Sequence, residues 1–276
     1  MIKPTAIIIV IASTFTGCTD RLTDRHATNT VADELNSRYN NTSGVCINRT
    51  AAFHCNGALV RVTDTVLSSE QERDRNAVSF SYIRADTGSK RLYGNTRYGI
   101  VLNSLPVHGV SVLTVRCSYV INAGTDFRPD ACGRTNNKQP DFDLAWSGPC
   151  VPQGVVDNKT WFDHYTKIKG VQSYTCSFKP SADEFALSIK ARTTLPESVR
   201  TGWNEVVTTA WDTSNLNHLP FQAFFYSNQA PENLEGARAL MREFYSYTGT
   251  RLPIVRLDLN SPTAAVFSYS VEDQTL

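Results

Sequence analysis

Two short segments combine residue types and spacing that suit chemistry on a phosphorylated sugar. In Tyr82-Ile83-Arg84-Ala85-Asp86 an arginine closes an aromatic and β-branched run, two residues ahead of a carboxylate. An arginine at a strand end projects a rigid fork of donors and can grip a diphosphate bidentately. The plainer reading is a surface arginine paired with Asp86. In Trp203-Asn204-Glu205-Val206-Val207 a glutamate opens a β-branched strand. A carboxylate there can hydrogen-bond a ribose hydroxyl and stabilise an oxocarbenium-like transition state, as in glycoside cleavage. Its plainer reading is a solvated glutamate at a strand end.

Other catalytic signatures are missing. The sequence has no G-x-S-x-G elbow, no G-x-x-x-x-G-K-[ST] phosphate loop, no H-E-x-x-H and no G-x-G-x-x-G. Its five histidines are scattered, and no C-x-x-C spacing occurs, so no metal site is expected. Asp141 and Asp143 could be read as a glycosidase pair, but residues two apart on an irregular segment seldom flank a substrate. With 27 Lys+Arg against 26 Asp+Glu the formal charge is +1, and no basic run offers a footprint for nucleic acid or an anionic membrane surface.

The elements that must carry these residues begin after an export signal. Residues 1–17 combine Lys3, an apolar stretch from Ala6 to Phe15 and small residues, too short to span a bilayer. The ending Phe15-Thr16-Gly17-Cys18 is similar to a lipobox, which makes Cys18 the expected lipidation site and the cell envelope the expected location. The alternative is ordinary cleavage and full secretion. Seven cysteines become an even set once Cys18 is set aside. They fall into three neighbouring couples, Cys46–Cys55, Cys117–Cys132 and Cys150–Cys176, expected as disulfides that staple local loops in an exported chain.

Residues 18–29 are polar, lack an apolar period and read as a tether; residues 30–276 read as one domain. Val31, Leu35 and Tyr39 share one face of a helix. Runs at 52–63, 77–85, 97–103 and 111–121 favour strands, and 122–154 reads as a long stapled loop. Helices follow near 159–169 and from the capping box at Ser181-Ala-Asp-Glu184. Another runs from Pro231 to Gly249, with Leu234, Ala237, Met241, Phe244 and Tyr245 at helical spacing. Strands are expected at 173–178, 203–210, 221–226, 253–259 and 264–270. The fold class is α+β, a single strand-rich domain without regular βα alternation.

Together, Y-I-R-A-D and W-N-E-V-V resemble the pattern of ADP-ribosyltransferase toxins, in which a strand arginine, a Ser/Thr-bearing strand and a glutamate opening a strand assemble an NAD site. Over most of the mature chain the sequence also resembles the halovibrin family of secreted bacterial proteins, through LNSRYN, AFHCNGALVR, VSFSYIRAD, TDFRPDACG, WNEVV, LPFQAFFY and TGTRLPIVRL. The resemblance implies an ADP-ribosyltransferase-like fold and NAD as substrate, consumed by hydrolysis or transfer, with no further cofactor. It makes Arg84 the NAD arginine and Glu205 the catalytic glutamate, with Tyr82 or Trp203 flanking the nicotinamide. No Ser-Thr-Ser triplet lies between them, and Thr125 is the best-placed hydroxyl. Arg61 is a rival arginine that would pair with Ser79 and Ser81. Arginine-directed transferases carry Gln or Glu two residues before the catalytic glutamate. Trp203 occupies that place here, which favours water over a protein arginine as acceptor. Expected partners are NAD and, for a transferase, a host or target-cell protein, with membrane contact only through a lipid anchor. The alternative is a non-catalytic envelope lipoprotein that binds a partner through its stapled loop.

Overall fold

The computed structural model describes residues 20–43, 47–49, 52–54, 56–92, 97–103, 113–124, 132, 148–227 and 230–275. The helix α1 (Asp20–Asn40) is followed by the short hairpin strands β1 (Ile47–Arg49) and β2 (Ala52–His54), then by β3 (Ala58–Val62) and the short helix α2 (Glu70–Arg75). Next come β4 (Val78–Ile83), β5 (Tyr98–Leu102), β6 (Val115–Tyr119), α3 (Asn158–Lys167), α4 (Ala182–Thr193) and α5 (Glu197–Arg200). The chain closes with β7 (Glu205–Thr208), β8 (Phe221–Tyr226), α6 (Glu232–Thr248), β9 (Ile254–Leu257) and β10 (Phe267–Tyr269). The architecture is a mixed α+β single domain built on an eight-stranded sheet ordered β10-β9-β8-β5-β3-β4-β7-β6. Among the described strands only β8 and β9 run parallel; α6 supplies the crossover between them.

Alternation along the strands divides the core between two faces. On one, Leu59, Phe80, Tyr82 and Val206 pack against Phe185 and Ile189 of α4 and against Ala237, Leu240, Met241 and Phe244 of α6. On the other, Val60, Val101, Phe225 and Val255 are covered by Ala32, Leu35 and Tyr39 of α1. Tyr245, expected on the apolar stripe of α6, is 42% exposed. At the sheet edge, Asn36 of α1 donates to the Phe267 carbonyl and accepts from the Phe267 amide, so a side chain replaces a missing strand partner.

Several expectations are revised. The tether expected over 18–29 is helical from Asp20 onward, continuous with the anchored helix behind it. Adding a turn to an existing helix costs far less than nucleating one, so a polar stretch can continue it. The strand expected at 173–178 is reduced to isolated bridges, Ser118 with Phe178 and Pro149 with Ser177. The α2 helix was not anticipated, although Ser69-x-x-Glu72 forms a complete capping box.

Two of the three expected disulfides lie among the described residues and are present, Cys117–Cys132 and Cys150–Cys176. The second lies in a satellite core with Trp161, Ile168 and Phe178. Cys46–Cys55, Cys18 and Thr125 lie outside the described residues. Among the described residues no helix is long and apolar enough to cross a membrane.

The β4 strand changes partners partway along. Its C-terminal half pairs with β3 through Leu59↔Tyr82 and Val60↔Ser81. Its N-terminal half pairs with β7 through Ser79↔Val207 and Phe80↔Val206. Beyond that half-ladder the Tyr82 amide donates to the side-chain oxygen of Asn204 at 2.8 Å. A wedge therefore opens in the sheet where β3 and β7 part from β4.

Buried phenols give the fold an alkaline limit. Burial pushes the Tyr82 phenol well above its ordinary range against the opposing influence of Arg84, and its hydroxyl donates to the Asn56 carbonyl. Burial and Asp273 push Tyr226 up to about 12. A phenol whose folded pKa is raised contributes stability that is complete below about pH 10 and is lost as pH rises past that point. The melting temperature is expected to hold up to about pH 9 and fall from about pH 10 upward, with Tyr82→Phe flattening the fall; thermal denaturation across that range checks it.

Candidate functional site

The wedge is a cleft of about 250 Å³ whose lining includes Arg61, Glu72, Ser79, Ser81, Trp203 and Glu205. Asn122, Gly124, Gln172 and Asn204 border it as well. Glu205, the first residue of β7, is 3% exposed. One carboxylate oxygen accepts from the Ser79 hydroxyl at 2.5 Å and the other from the Ala123 amide at 2.8 Å. Both oxygens are thus held by groups from neighbouring segments, which fixes the plane of the carboxylate. Ser79 sits on β4 and Ala123 just beyond β6, the two neighbours of β7 in the sheet.

Arg61 enters from β3. Its guanidinium lies 5.2 Å from the centre of the Trp211 ring, and its Nη2 donates to both oxygens of Glu72, at 2.9 and 3.1 Å. Burial pulls its pKa below the ordinary value, and Glu72 partly restores it. The Nη1 of Arg61 is buried and has no hydrogen-bond partner among the described residues. A buried charged donor without an acceptor is costly, and a site lined in this way suits an anionic ligand. Glu72 is oriented in turn by the amide and hydroxyl of Ser69 at the start of α2.

The residues anticipated from sequence divide clearly. Glu205 and Trp203 line the cleft. Arg84 does not. It is only 6% exposed, and its Nε and Nη2 engage Asp86 bidentately at 2.6 and 2.7 Å. Burial pulls against its charge, but Asp86 and the Tyr82 phenol outweigh that and hold its pKa above the ordinary value. Tyr82 is a core residue, edge-on to Phe185 with ring centres 5.1 Å apart, and cannot flank a ligand in the cleft. The hydroxyl bonded to Glu205 belongs to Ser79, and Ser81 also lines the cleft; these two are the pair that accompanies the rival arginine Arg61. Asp141 and Asp143 lie outside the described residues.

Glu72, Asn204, Asn122 and Gln172 were not anticipated. Only Glu72 had a readable signal, the capping box from Ser69. The others reach the cleft because β4 changes partners, which no periodicity reveals.

Among the described residues no three His, Cys, Asp or Glu side chains are grouped to hold a metal ion. What the cleft offers is one fixed carboxylate, a neighbouring hydroxyl, an uncommitted guanidinium nitrogen and an indole. That set can bind an anion and a flat ring while stabilising positive charge on a sugar carbon. No protein-family model matches the chain, and no curated protein matches it.

Proposed function

We propose that this chain is an exported NAD glycohydrolase of ADP-ribosyltransferase-like type, cleaving the bond between nicotinamide and ribose. The observation that carries the reading is that a buried glutamate bonded to a serine shares one cleft with an arginine whose buried Nη1 lacks an acceptor among the described residues. In this reading Arg61, rather than Arg84, engages the diphosphate of NAD. Trp203 flanks the nicotinamide, and Glu205 faces the ribose. The C1′–N bond breaks with its electron pair leaving on nicotinamide, and the carboxylate stabilises the cation that develops at C1′. Water adds at C1′ and releases a proton, giving ADP-ribose. Trp203 has no carboxylate or amide with which to engage a protein arginine, which favours hydrolysis over transfer. The amino-terminal signal ending at Cys18 favours secretion or an envelope lipoprotein, so the NAD consumed would be that of another compartment or cell.

The purified, oxidised mature protein is expected to release nicotinamide and ADP-ribose from NAD. Arg61→Ala should lower kcat/KM on the order of 10²-fold, because a charged donor to the substrate is lost. Arg84→Ala should leave kcat/KM within a few-fold of wild type at matched folding. Absence of nicotinamide release by the folded wild type overturns the reading; a larger loss for Arg84→Ala than for Arg61→Ala moves the diphosphate away from Arg61.

A further inference from the structure

We propose that a basic depression formed by Lys90, Arg91 and Arg97 is a second phosphate site, and that the substrate of the Glu205 cleft is a dinucleotide carrying an extra phosphate on its distal ribose. The substrate half of this proposal rests on the NAD reading above; the phosphate site does not.

The three cations ring a shallow depression floored by Leu92, Phe225 and Leu257. Arg97 is half-buried at the start of β5, and its guanidinium makes no hydrogen bond or ion pair among the described residues. The guanidinium of Arg91 lies 5.9 Å from the centre of the Trp203 ring and has no carboxylate partner among the described residues. Lys90 donates to the Leu259 carbonyl at 3.3 Å, a long bond that leaves its other protons available. The one acid present, Asp258, accepts from the Asn260 amide. Two uncommitted arginine forks and a lysine around one concavity suit a phosphate, which two guanidinium groups can bind through several parallel hydrogen bonds.

Position ties this depression to the cleft. Val62 borders the cleft, Phe225 floors the depression, and both pair with Gly99 between them, so the three positions form one row across the sheet. Gly99 and Phe225 are themselves buried, and a Cβ at Gly99 would meet the Arg61 carbonyl oxygen at 1.8 Å and the Phe225 ring at 3.0 Å, so the row sets the spacing of cleft and depression and is not itself a channel. From β4, which carries Ser79, to β8, which carries Phe225, are three strand spacings, about 14 Å. That matches the reach of an extended dinucleotide from one ribose to the phosphate-bearing edge of the other. Trp203 supplies a second link, since it borders the cleft and stacks with Arg91.

The volumes fit such an extension. The cleft's 250 Å³ lies below the roughly 300–1,000 Å³ that engulfs a whole drug-sized ligand, so it suits one half of a dinucleotide. The other half must lie along the surface. The depression encloses only about 30 Å³, room for a terminal group rather than a nucleoside.

Two measurements on the mature, oxidised protein test this. Nicotinamide release is compared for NAD and for its 2′-phosphorylated counterpart, and binding of adenosine 2′,5′-bisphosphate is compared with that of adenosine 5′-phosphate by calorimetry. Wild type is expected to favour the 2′-phosphorylated member of each pair at least tenfold. Arg97→Ala and the double variant Lys90→Ala/Arg97→Ala should bring both ratios toward one, and Arg97→Lys should restore part of the preference. Equal handling of each pair by wild type, or ratios unchanged in folded variants, overturns the proposal. If neither dinucleotide is cleaved, the NAD reading fails while calorimetry still decides the phosphate site.

Discussion

Glu205→Gln is expected to lower the rate of nicotinamide release by on the order of 10³-fold while leaving the fold intact. The exchange preserves shape and keeps one carbonyl oxygen to accept from the Ala123 amide. It removes the negative charge and turns the group facing Ser79 into a donor, so the Ser79 hydroxyl must reorient from donating to accepting. The ground state loses little, because a neutral amide still fills the space between Ser79 and Ala123. The transition state loses the charge that balances the developing cation at C1′, and at a carboxylate as buried as Glu205 that loss amounts to several kcal/mol. Turnover and thermal melting measured on the same preparation separate the two effects. Melting within a few degrees of wild type with turnover nearly abolished is the expected pair. Turnover above one tenth of wild type would assign the chemistry to another group.

Arg192→Met should destabilise the protein by roughly 3–5 kcal/mol, the largest single-residue effect expected outside the hydrophobic core. Arg192 is fully buried on α4, and among the described residues its fork bonds only to oxygen atoms that carry no full charge. Its Nε donates to the Thr87 carbonyl at 3.1 Å and its Nη1 to the Val120 carbonyl at 2.8 Å. Its Nη2 donates to the Ser89 hydroxyl and to the carbonyls of Arg200 and Gly202, at 3.1, 2.7 and 2.6 Å. Burial, reinforced by Arg200, lowers its pKa to about 10, so it remains a cation at neutral pH.

These acceptors belong to two segments that frame the cleft and to one that leads to the basic depression. Val120 leads into Asn122–Gly124, Gly202 leads into Trp203–Glu205, and Thr87 and Ser89 precede the basic depression. Methionine fills much of the volume but leaves the carbonyls unpaired in the interior. Arg192→Lys should recover only part of the loss, because an ammonium has three donors and no planar fork. Denaturant titration of the three proteins gives the comparison. A change below about 1 kcal/mol for Arg192→Met would mean that water satisfies these carbonyls.

The strand position of Glu205 was legible in the sequence because its signal is local: a glutamate at the mouth of a β-branched strand reads the same before and after folding. Choosing between Arg61 and Arg84 required knowledge that is not local. Both are strand arginines, and the Y-I-R-A-D pattern favours Arg84. Asp86, two residues on, captures that guanidinium, while β4 leaves β3 beyond Ser81 and opens the space that Arg61 lines. Period-two alternation reports which face a residue occupies, not where two strands separate.

The disulfide couples were legible for the opposite reason, since each of the two described pairs spans a short stretch of chain. The helical character of residues 20–29 was hidden because a polar extension carries no apolar stripe, and the α2 helix because it buries no residue of its own.

The change of partners along β4 also bears on how the molecule can move. The strands β5, β8, β9 and β10 lie on the β3 side, and β6 lies on the β7 side, so the two halves of the sheet share a single strand. A slight relative rotation would turn about β4, with the Asn204 bond to the Tyr82 amide as a latch made by a side chain rather than by a ladder. Amide hydrogen exchange should therefore be faster at Tyr82 than at Val60 or Val207, although all three are buried. The same rotation would change the separation of Arg61 and Glu205 without breaking a rung in either half, which makes β4 a torsion bar for a two-leaf sheet.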